Sequence, residues 1–269
     1  MQGFWKAIRT ILILQRNHQT TARSKQKMTA QKKFSRLVRL IYELDHVAVA
    51  FSGGIKSSLL LCAAQEAHGR DVWALTVNAA FFTKEDLYCV HEVLEDYKLN
   101  DARIPVYVLQ EQAVSRNGRE RCKVCSGMMS AELARYAEQV GAEVLLDGCL
   151  KGGKSCIALQ RSEKLECRSP FIELGYDMRD ICDMLQAVGR GYYIRKPVGC
   201  LADRFAPEEY LTAEKLDFVE EAEVFIRKFA GKERRLYFTD WNVVVYTKKD
   251  LLEAEKESIG AELRKRGAK

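Results

Sequence analysis

A buried-strand pattern that runs directly into a glycine pair and then a helix is the feature that most constrains the fold. Residues 50–61 read AFSGGIKSSLLL, and the apolar run before the glycines starts just after His46. Glycines let a backbone turn its N–H groups toward a ligand, and the N-terminus of the following helix adds positive potential. The segment predicts a strand, a phosphate-binding loop and a helix. The simpler alternative is a tight turn in which a serine caps the helix.

Strands and helices alternate through the next 140 residues or so. We predict strands at 46–52, 72–77, 104–109 and 143–147, and helices at 57–67, 84–97, 128–140 and 177–188. Such alternation is typical of a parallel sheet with helices on both faces, so we expect an α/β, doubly wound fold. From about residue 200 the pattern changes to a helix, an antiparallel strand pair and a charged C-terminal helix. We therefore expect a basic arm at 1–42, an α/β domain at 43–199 and a small α+β appendage at 200–269.

Positive charge is concentrated at the N-terminus. Ten of the 43 Lys and Arg residues fall within residues 1–42, which contain no Asp or Glu; the remaining 33 face 37 acidic residues, so that part carries about −4. A basic arm can bind nucleic acid or an anionic surface. An acid-free, Arg-, Ser- and Thr-rich start is also typical of a transit peptide, and the simplest interpretation is a disordered extension. Nucleic acid is therefore a possible partner of residues 1–42, but not the favoured one.

No apolar run reaches the roughly 18 residues that a membrane span needs, and no secretory cleavage pattern follows the N-terminal apolar residues. We expect a soluble, cytoplasmic protein without a membrane partner. Nine cysteines in such a chain argue against a disulfide framework, which belongs to small secreted domains.

Three cysteines form the second candidate site. Cys122 and Cys125 make a CxxC pair that we expect on a loop entering a helix, and Cys200 lies far downstream in KPVGCLADR, residues 196–204. A CxxC pair presents two thiolates to one metal, and a helix N-terminus favours the thiolate form. By itself the pair fits zinc, a redox dithiol or an iron–sulfur cluster.

The glycine loop resembles that of the PP-loop ATP pyrophosphatases, which adenylate a substrate and release pyrophosphate. Ser52-Gly53-Gly54-Ile55-x-Ser57 is similar to their SGGxDS motif, with Lys56 in place of the usual Asp. The resemblance implies ATP with Mg²⁺ as ligands. Ser52, Gly53, Gly54 and Ser57 would bind this cofactor, together with Asp147 and Gly148 after the fourth strand.

The order of the motifs resembles one branch of this superfamily, the LarE-type ATP-dependent sulfur transferases of nickel-pincer nucleotide cofactor synthesis. The resemblance runs from about residue 46 to 240 and includes RCxxC at 121–125, RSPF at 168–171 and KPxxxCLAxR at 196–204. It implies adenylation of a carboxylate on a pyridinium-dicarboxylate mononucleotide, then sulfur insertion. It also implies sulfur from a [4Fe–4S] cluster on Cys122, Cys125 and Cys200, or from Cys200 itself, and a homo-oligomer.

The same resemblance suggests catalytic roles for Lys56, Cys200, Arg204 and Arg235. Lys56 would offset charge on the phosphates, and the two arginines would bind a phosphate or carboxylate, which a guanidinium holds with two hydrogen bonds. The chain departs from the family pattern at Lys56, at Leu150 in DGCL and at Tyr237. Three further cysteines (Cys149, Cys156 and Cys167) have no counterpart in the family, and we expect them to be incidental.

Two other functions remain open at this point. A tRNA thiolase also combines a PP-loop with CxxC and a distant Cys, and the basic arm suits RNA. The departures from the family pattern instead favour a degenerate, non-enzymatic protein that binds a nucleotide or a cluster.

Overall fold

The computed structural model describes residues 28–153, 164–195, 199–231, 234–248 and 250–269. Most of the basic arm, residues 196–198 and Cys156 lie outside these residues. The helices are α1 (Ala30–Tyr42), α2 (Ile55–His68), α3 (Lys84–Tyr97), α4 (Gln112–Ser115), α5 (Arg121–Gln139), α6 (Pro170–Leu174), α7 (Met178–Ala187), α8 (Ala213–Ala230) and α9 (Glu253–Lys265). The strands are β1 (Val47–Ala50), β2 (Trp73–Ala79), β3 (Asn100–Val106), β4 (Val144–Leu146), β5 (Glu166–Arg168), β6 (Arg234–Thr239) and β7 (Asn242–Thr247).

The first five strands form one sheet in the order β3-β2-β1-β4-β5. All four of its strand pairs are parallel. Chain order reverses between β1 and β4, which makes this position the topological switch point of the sheet. In open α/β sheets, ligands bind outside the carboxyl ends of the strands at that point.

Each face of the sheet is covered by its own core. Alternate residues of a strand point to opposite faces, and in β1 Val47 and Val49 pack with α1, α2, α3 and α7, while Ala48 packs with α5 and α8. Helices therefore cover both faces, as the sequence predicts for the α/β class.

The first described helix belongs to the folded body. Thr29 caps α1, and the helix buries Phe34, Leu37 and Ile41 in the same core as α2 and α7. Of its basic residues, Lys32, Arg36 and Arg39 are exposed, whereas Lys33 is largely buried and pairs with Asp180 on α7.

The C-terminal residues share the other core. The hairpin of β6 and β7 is antiparallel, and its Phe238 packs against Phe205 and Phe218 with ring centroids 5.2 and 5.7 Å apart. These rings join the core that also contains β2 and α5. Among the described residues, no helix has the length and apolar character to cross a membrane.

Three sequence expectations differ from the structure. The third strand spans Asn100–Val106 rather than 104–109, since it is an edge strand with one exposed face and the chain then enters a 3₁₀ turn at Val108–Gln110. Strand β5 was not predicted, because it has three residues, two of them charged. Helix α5 begins seven residues earlier than expected, at Arg121. Gly127 lies within this helix and does not end it. An added Cβ at Gly127 would meet nothing within 4 Å.

Candidate active site

The two predicted nucleotide-binding segments meet at the switch point of the sheet. Residues 51–54 follow β1, and Asp147 and Gly148 follow β4, its parallel neighbour. A Cβ added to Gly148 would lie 3.0 Å from the Lys56 Cβ and 3.3 Å from the Ser57 nitrogen, so the β4 loop lies against the first turn of α2. The structure thus brings together segments that are about 90 residues apart in sequence.

Two serine side chains fold the glycine loop on itself. The Ser57 hydroxyl donates to the Gly54 carbonyl (3.1 Å), lies 3.1 Å from the Ser52 hydroxyl and accepts the Ser52 N–H (3.2 Å). Gly54 is the N-cap of α2, and no side chain caps the helix there. The first N–H groups of α2 therefore have no side-chain acceptor at the N-cap, as an anion site at a helix N-terminus requires. Ser58 is fully buried and does not present its hydroxyl to solvent.

Gly53 is a position where only glycine fits. Its φ is +68°, and an added Cβ would lie 2.8 Å from the Val90 nitrogen and 3.2 Å from the Cys89 carbonyl carbon. The loop therefore packs directly on the backbone of α3, which fixes its position above the sheet.

Lys56 and Asp147 form the electrostatic centre of this loop pair. Burial lowers the pKa of Lys56, and the charge of Asp147 opposes that effect. Burial raises the pKa of Asp147, against hydrogen bonds from the Cys149 N–H (2.8 Å) and the Ser169 hydroxyl (3.0 Å) and the charge of Lys56. A cation thus stands in the loop after β1, and the nearby carboxylate comes from the β4 loop.

Ser169 is a site residue to which sequence reasoning gave no role. It appeared only as a letter of the RSPF motif, and its hydroxyl orients Asp147 from the end of β5. The signal was hidden because β5 itself was not predicted.

The three candidate cysteines lie near one another at the same edge of the sheet. Helix α5 connects β3 to β4, which are both parallel to β1, so its N-terminus lies at the carboxyl edge. Cys122 and Cys125 are in its first turns, not in a preceding loop as expected, because α5 starts at Arg121. Cys200 precedes Leu201, whose N–H donates to the Phe81 carbonyl (3.1 Å) just beyond β2.

The thiols affect one another electrostatically. Burial, followed by the charges of Cys200 and Cys122, raises the pKa of Cys125 to about 11. Burial, with Asp203 and Cys122 contributing, also raises the pKa of Cys200. The nearby Arg121 opposes the shift at both residues. Charge on Cys122 thus acts on both of the other thiols.

Arg121 is central to this cysteine group. One guanidinium nitrogen donates to the Ala202 carbonyl (3.0 Å) and to the Asn117 side chain. The other donates to the Asp203 carboxylate (2.7 Å) and to the Cys122 sulfur (3.3 Å). Arg121 therefore links the start of α5 to the segment that carries Cys200.

The two arginines expected to bind substrate have different environments. Arg204 is buried and pairs with Glu223 through two contacts (3.0 and 3.3 Å), while its remaining terminal nitrogen donates to the Cys200 carbonyl (2.9 Å). In place of the predicted substrate contact, the structure gives it a buried ion pair, because the 3₁₀ turn at Leu201–Arg204 directs it toward α8. Arg235 is exposed and donates to the Asp203 carbonyl (3.0 Å).

The donor chemistry of the cysteine group fits an iron–sulfur cluster, which thiolates hold. Within the described part of the chain, however, no group of three or more His, Cys, Asp or Glu side chains is arranged to hold a metal ion. The three cysteines thus supply the right kind of donor atom, but their side chains are not arranged as ligands of one metal ion.

Two of the three further cysteines are described. Cys149 is disulfide-bonded, which corrects the expectation of an incidental thiol there. Cys167 lies in β5 and is half-buried. Cys156 lies outside the described residues.

Two cavities open near this edge of the sheet. One of about 550 Å³ lies beyond β2 and β3, and its walls include Leu201, Lys84 and Glu220. The second, of about 480 Å³, lies between α3, α8 and α9. Sequence reasoning missed Glu220, which is buried on α8 and accepts the Lys84 N–H.

The fold and these two sites define an α/β protein with a nucleotide-type loop at its switch point and a cysteine group beside it. No family model matches the chain. A protein of Lactiplantibacillus plantarum named pyridinium-3,5-bisthiocarboxylic acid mononucleotide synthase is 26% identical over 213 residues, which cover 78% of this chain and 77% of that protein.

Two uncharacterized proteins also match. One from Synechocystis is 23% identical over 210 residues, 77% of this chain and 78% of that protein. One from Methanocaldococcus jannaschii is 24% identical over 185 residues, 68% and 70% of the two chains. The chain is thus a distant homologue of the named synthase, which supports the LarE-type resemblance seen in the sequence.

Proposed function

We propose that this protein is an ATP-dependent sulfur transferase, which adenylates a carboxylate of a nucleotide-type substrate and then inserts sulfur. One observation carries the proposal: the glycine loop and the group of three cysteines lie at the same carboxyl edge of one parallel sheet. The distant homology to a synthase of a bisthiocarboxylic acid mononucleotide supports a role in nickel-pincer cofactor synthesis or a related thiolation.

In the first step, the uncapped N-terminus of α2 and the loop N–H groups bind the phosphates of ATP. An oxygen of the substrate carboxylate attacks the α-phosphorus, the bond to the bridging oxygen breaks, and pyrophosphate leaves. Lys56 offsets the charge that builds up on the phosphate oxygens. Asp147, oriented by Ser169, would hold Mg²⁺, because Lys56 stands where the related loops have a carboxylate.

In the second step, sulfur replaces AMP on the activated carbonyl carbon, because AMP is a far better leaving group than an oxide. Cys122, Cys125 and Cys200 would hold a [4Fe–4S] cluster, which would supply sulfide as the sulfur source. Arg235, exposed beside Asp203, is available to bind a substrate phosphate or carboxylate. Arg204 acts as a positioning residue, since it pairs with Glu223 and holds the Cys200 carbonyl.

Two measurements test these steps separately. AMP and pyrophosphate release from ATP, with pyridinium-dicarboxylate mononucleotide as the acceptor, tests adenylation. Lys56→Ala should reduce AMP formation by about 10²-fold or more, as for loss of one group that stabilises transition-state charge. Lys256→Ala removes an exposed lysine of α9 that pairs with Glu253, away from the loop, and should leave the rate unchanged. An equal rate in Lys56→Ala and wild type would contradict the role of Lys56.

Iron and acid-labile sulfide content after anaerobic purification tests the sulfur source. About four of each per chain are expected, with loss in Cys200→Ala. Zinc, or no metal at all, would contradict the cluster and leave Cys200 as the sacrificial donor.

The basic face of α1 keeps a tRNA thiolase as a second candidate. Lys32, Arg36 and Arg39 are all exposed there, next to the rest of the basic N-terminal segment. Filter binding of tRNA to the full chain and to a chain lacking residues 1–27 separates the two. Tight binding that is lost on truncation would favour the thiolase; weak binding by both chains would favour the small-molecule acceptor.

A further inference from the structure

Two segments far apart in sequence are joined beside the cysteines by a set of hydrogen bonds. Residues 115–121 lead into α5, and residues 200–211 carry Cys200 and the turn after it. Backbone bonds run from the Leu211 N–H to the Ser115 carbonyl (2.7 Å) and from the Glu208 N–H to the Asn117 carbonyl (3.3 Å). The Asn117 side chain adds a bond to the Ala206 carbonyl (2.6 Å).

Arg121 makes the contacts closest to the sulfur atoms. Its side chain is only 12% exposed, and it donates to the Ala202 carbonyl, the Asp203 carboxylate and the Cys122 sulfur. A planar guanidinium reaches several acceptors in fixed directions, which an ammonium cannot do. Arg121 thus holds the residues that follow Cys200 on the helix that carries the other two cysteines.

We propose that Arg121 is the positioning residue that assembles the three cysteines in the protein before any metal or sulfur is bound. Three cysteines brought together only by a metal would need no such link between the two segments. Here the hydrogen bonds of Arg121 and Asn117 join the two segments through contacts of the protein itself. The role of the cysteine group in sulfur transfer rests on the proposed function. The distance between the thiols, in contrast, can be measured without any enzymatic turnover.

Crosslinking of the metal-free, reduced protein tests the assignment. Dibromobimane loses one bromide to each of two thiolates, forms two C–S bonds and becomes fluorescent when both have reacted. In a Cys125→Ser, Cys182→Ser background, peptide mass spectrometry then reports the link between Cys122 and Cys200 directly.

Arg121→Gln should lower the yield of this link by about tenfold or more, because it removes the charged donor of several hydrogen bonds. Arg121→Lys should restore part of the yield, because an ammonium can still reach one of the acceptors. Arg135→Gln is the matched control. It removes an exposed arginine from the same helix, which pairs with Glu132, and the yield should not change.

An unchanged yield in folded Arg121→Gln would overturn the assignment, whatever the result for AMP formation. Should that variant fail to fold, Asp203→Ala removes the acceptor from the other segment, at a side chain that is half exposed. A reduced yield in Asp203→Ala would support the assignment, and an unchanged yield would overturn it. Loss of AMP formation with an intact crosslink, in contrast, would point to failure of the proposed function alone.

Discussion

Replacing Gly53 by alanine should lower the free energy of unfolding for two reasons, backbone strain and steric overlap. The first is backbone strain, because φ is +68°, and a left-handed conformation costs a residue with a Cβ about 1–2 kcal/mol. The second is steric, because the new Cβ would lie 2.8 Å from the Val90 nitrogen and 3.0 Å from its Cγ2. Overpacking of this kind costs about 1–3 kcal/mol, so the two together should lower the free energy of unfolding by about 2–5 kcal/mol.

Gly175 provides the matched control. It has the same φ of +68°, but an added Cβ would meet nothing within 4 Å. Gly175→Ala should therefore show the strain cost alone, about 1–2 kcal/mol. Urea unfolding of both variants, followed by circular dichroism, gives the difference between them. If Gly53→Ala proves no less stable than Gly175→Ala, the loop does not pack on α3 as described.

Three further predictions follow from the charges around the site. Arg204→Ala should lower the free energy of unfolding by about 3–5 kcal/mol, since it leaves the Glu223 carboxylate buried without its arginine; urea unfolding checks this, and a smaller loss would mean that the pair is solvated. Asp147 has a raised pKa in the fold, so the ligand-free protein should lose stability as the pH rises from the ordinary value of 3.8 through the folded pKa. Asp147→Asn should remove that slope in urea unfolding at several pH values; an identical slope in the variant would assign it to another group. Ser169→Ala should weaken Mg²⁺-dependent ATP binding by about tenfold in calorimetry, through the loss of one hydrogen bond to a charged group, whereas unaltered binding would remove Ser169 from the site.

The sequence predicted the α/β class because its strongest signals are local. Apolar runs and helical stripes mark β1, β2, α3 and α7 to within two residues at each end. The two glycines after β1 also predicted the position of the loop, because a strand that runs directly into a glycine pair and a helix is typical of a ligand-binding loop.

Features that depend on distant partners could not be predicted in this way. Strand β5 exists because it pairs with β4, not because its three residues prefer a strand. The start of α5 was missed because charged residues and Gly127 masked the helical face that includes Cys125. Arg204 was expected to bind the substrate. Its ion pair with Glu223 could not be predicted, because Glu223 lies 19 residues further on and the packing of its helix cannot be read from the sequence.

The central claim is that the glycine loop and the cysteine group act on one substrate. Mass spectrometry of pyridinium-dicarboxylate mononucleotide, incubated with the anaerobically purified protein, ATP and Mg²⁺, tests it most directly. The account predicts that sulfur replaces an oxygen of a carboxylate, only when ATP is present, and that Lys56→Ala and Cys200→Ala each abolish the exchange. AMP release without any sulfur in the acceptor, or sulfur insertion that persists without ATP, would contradict it.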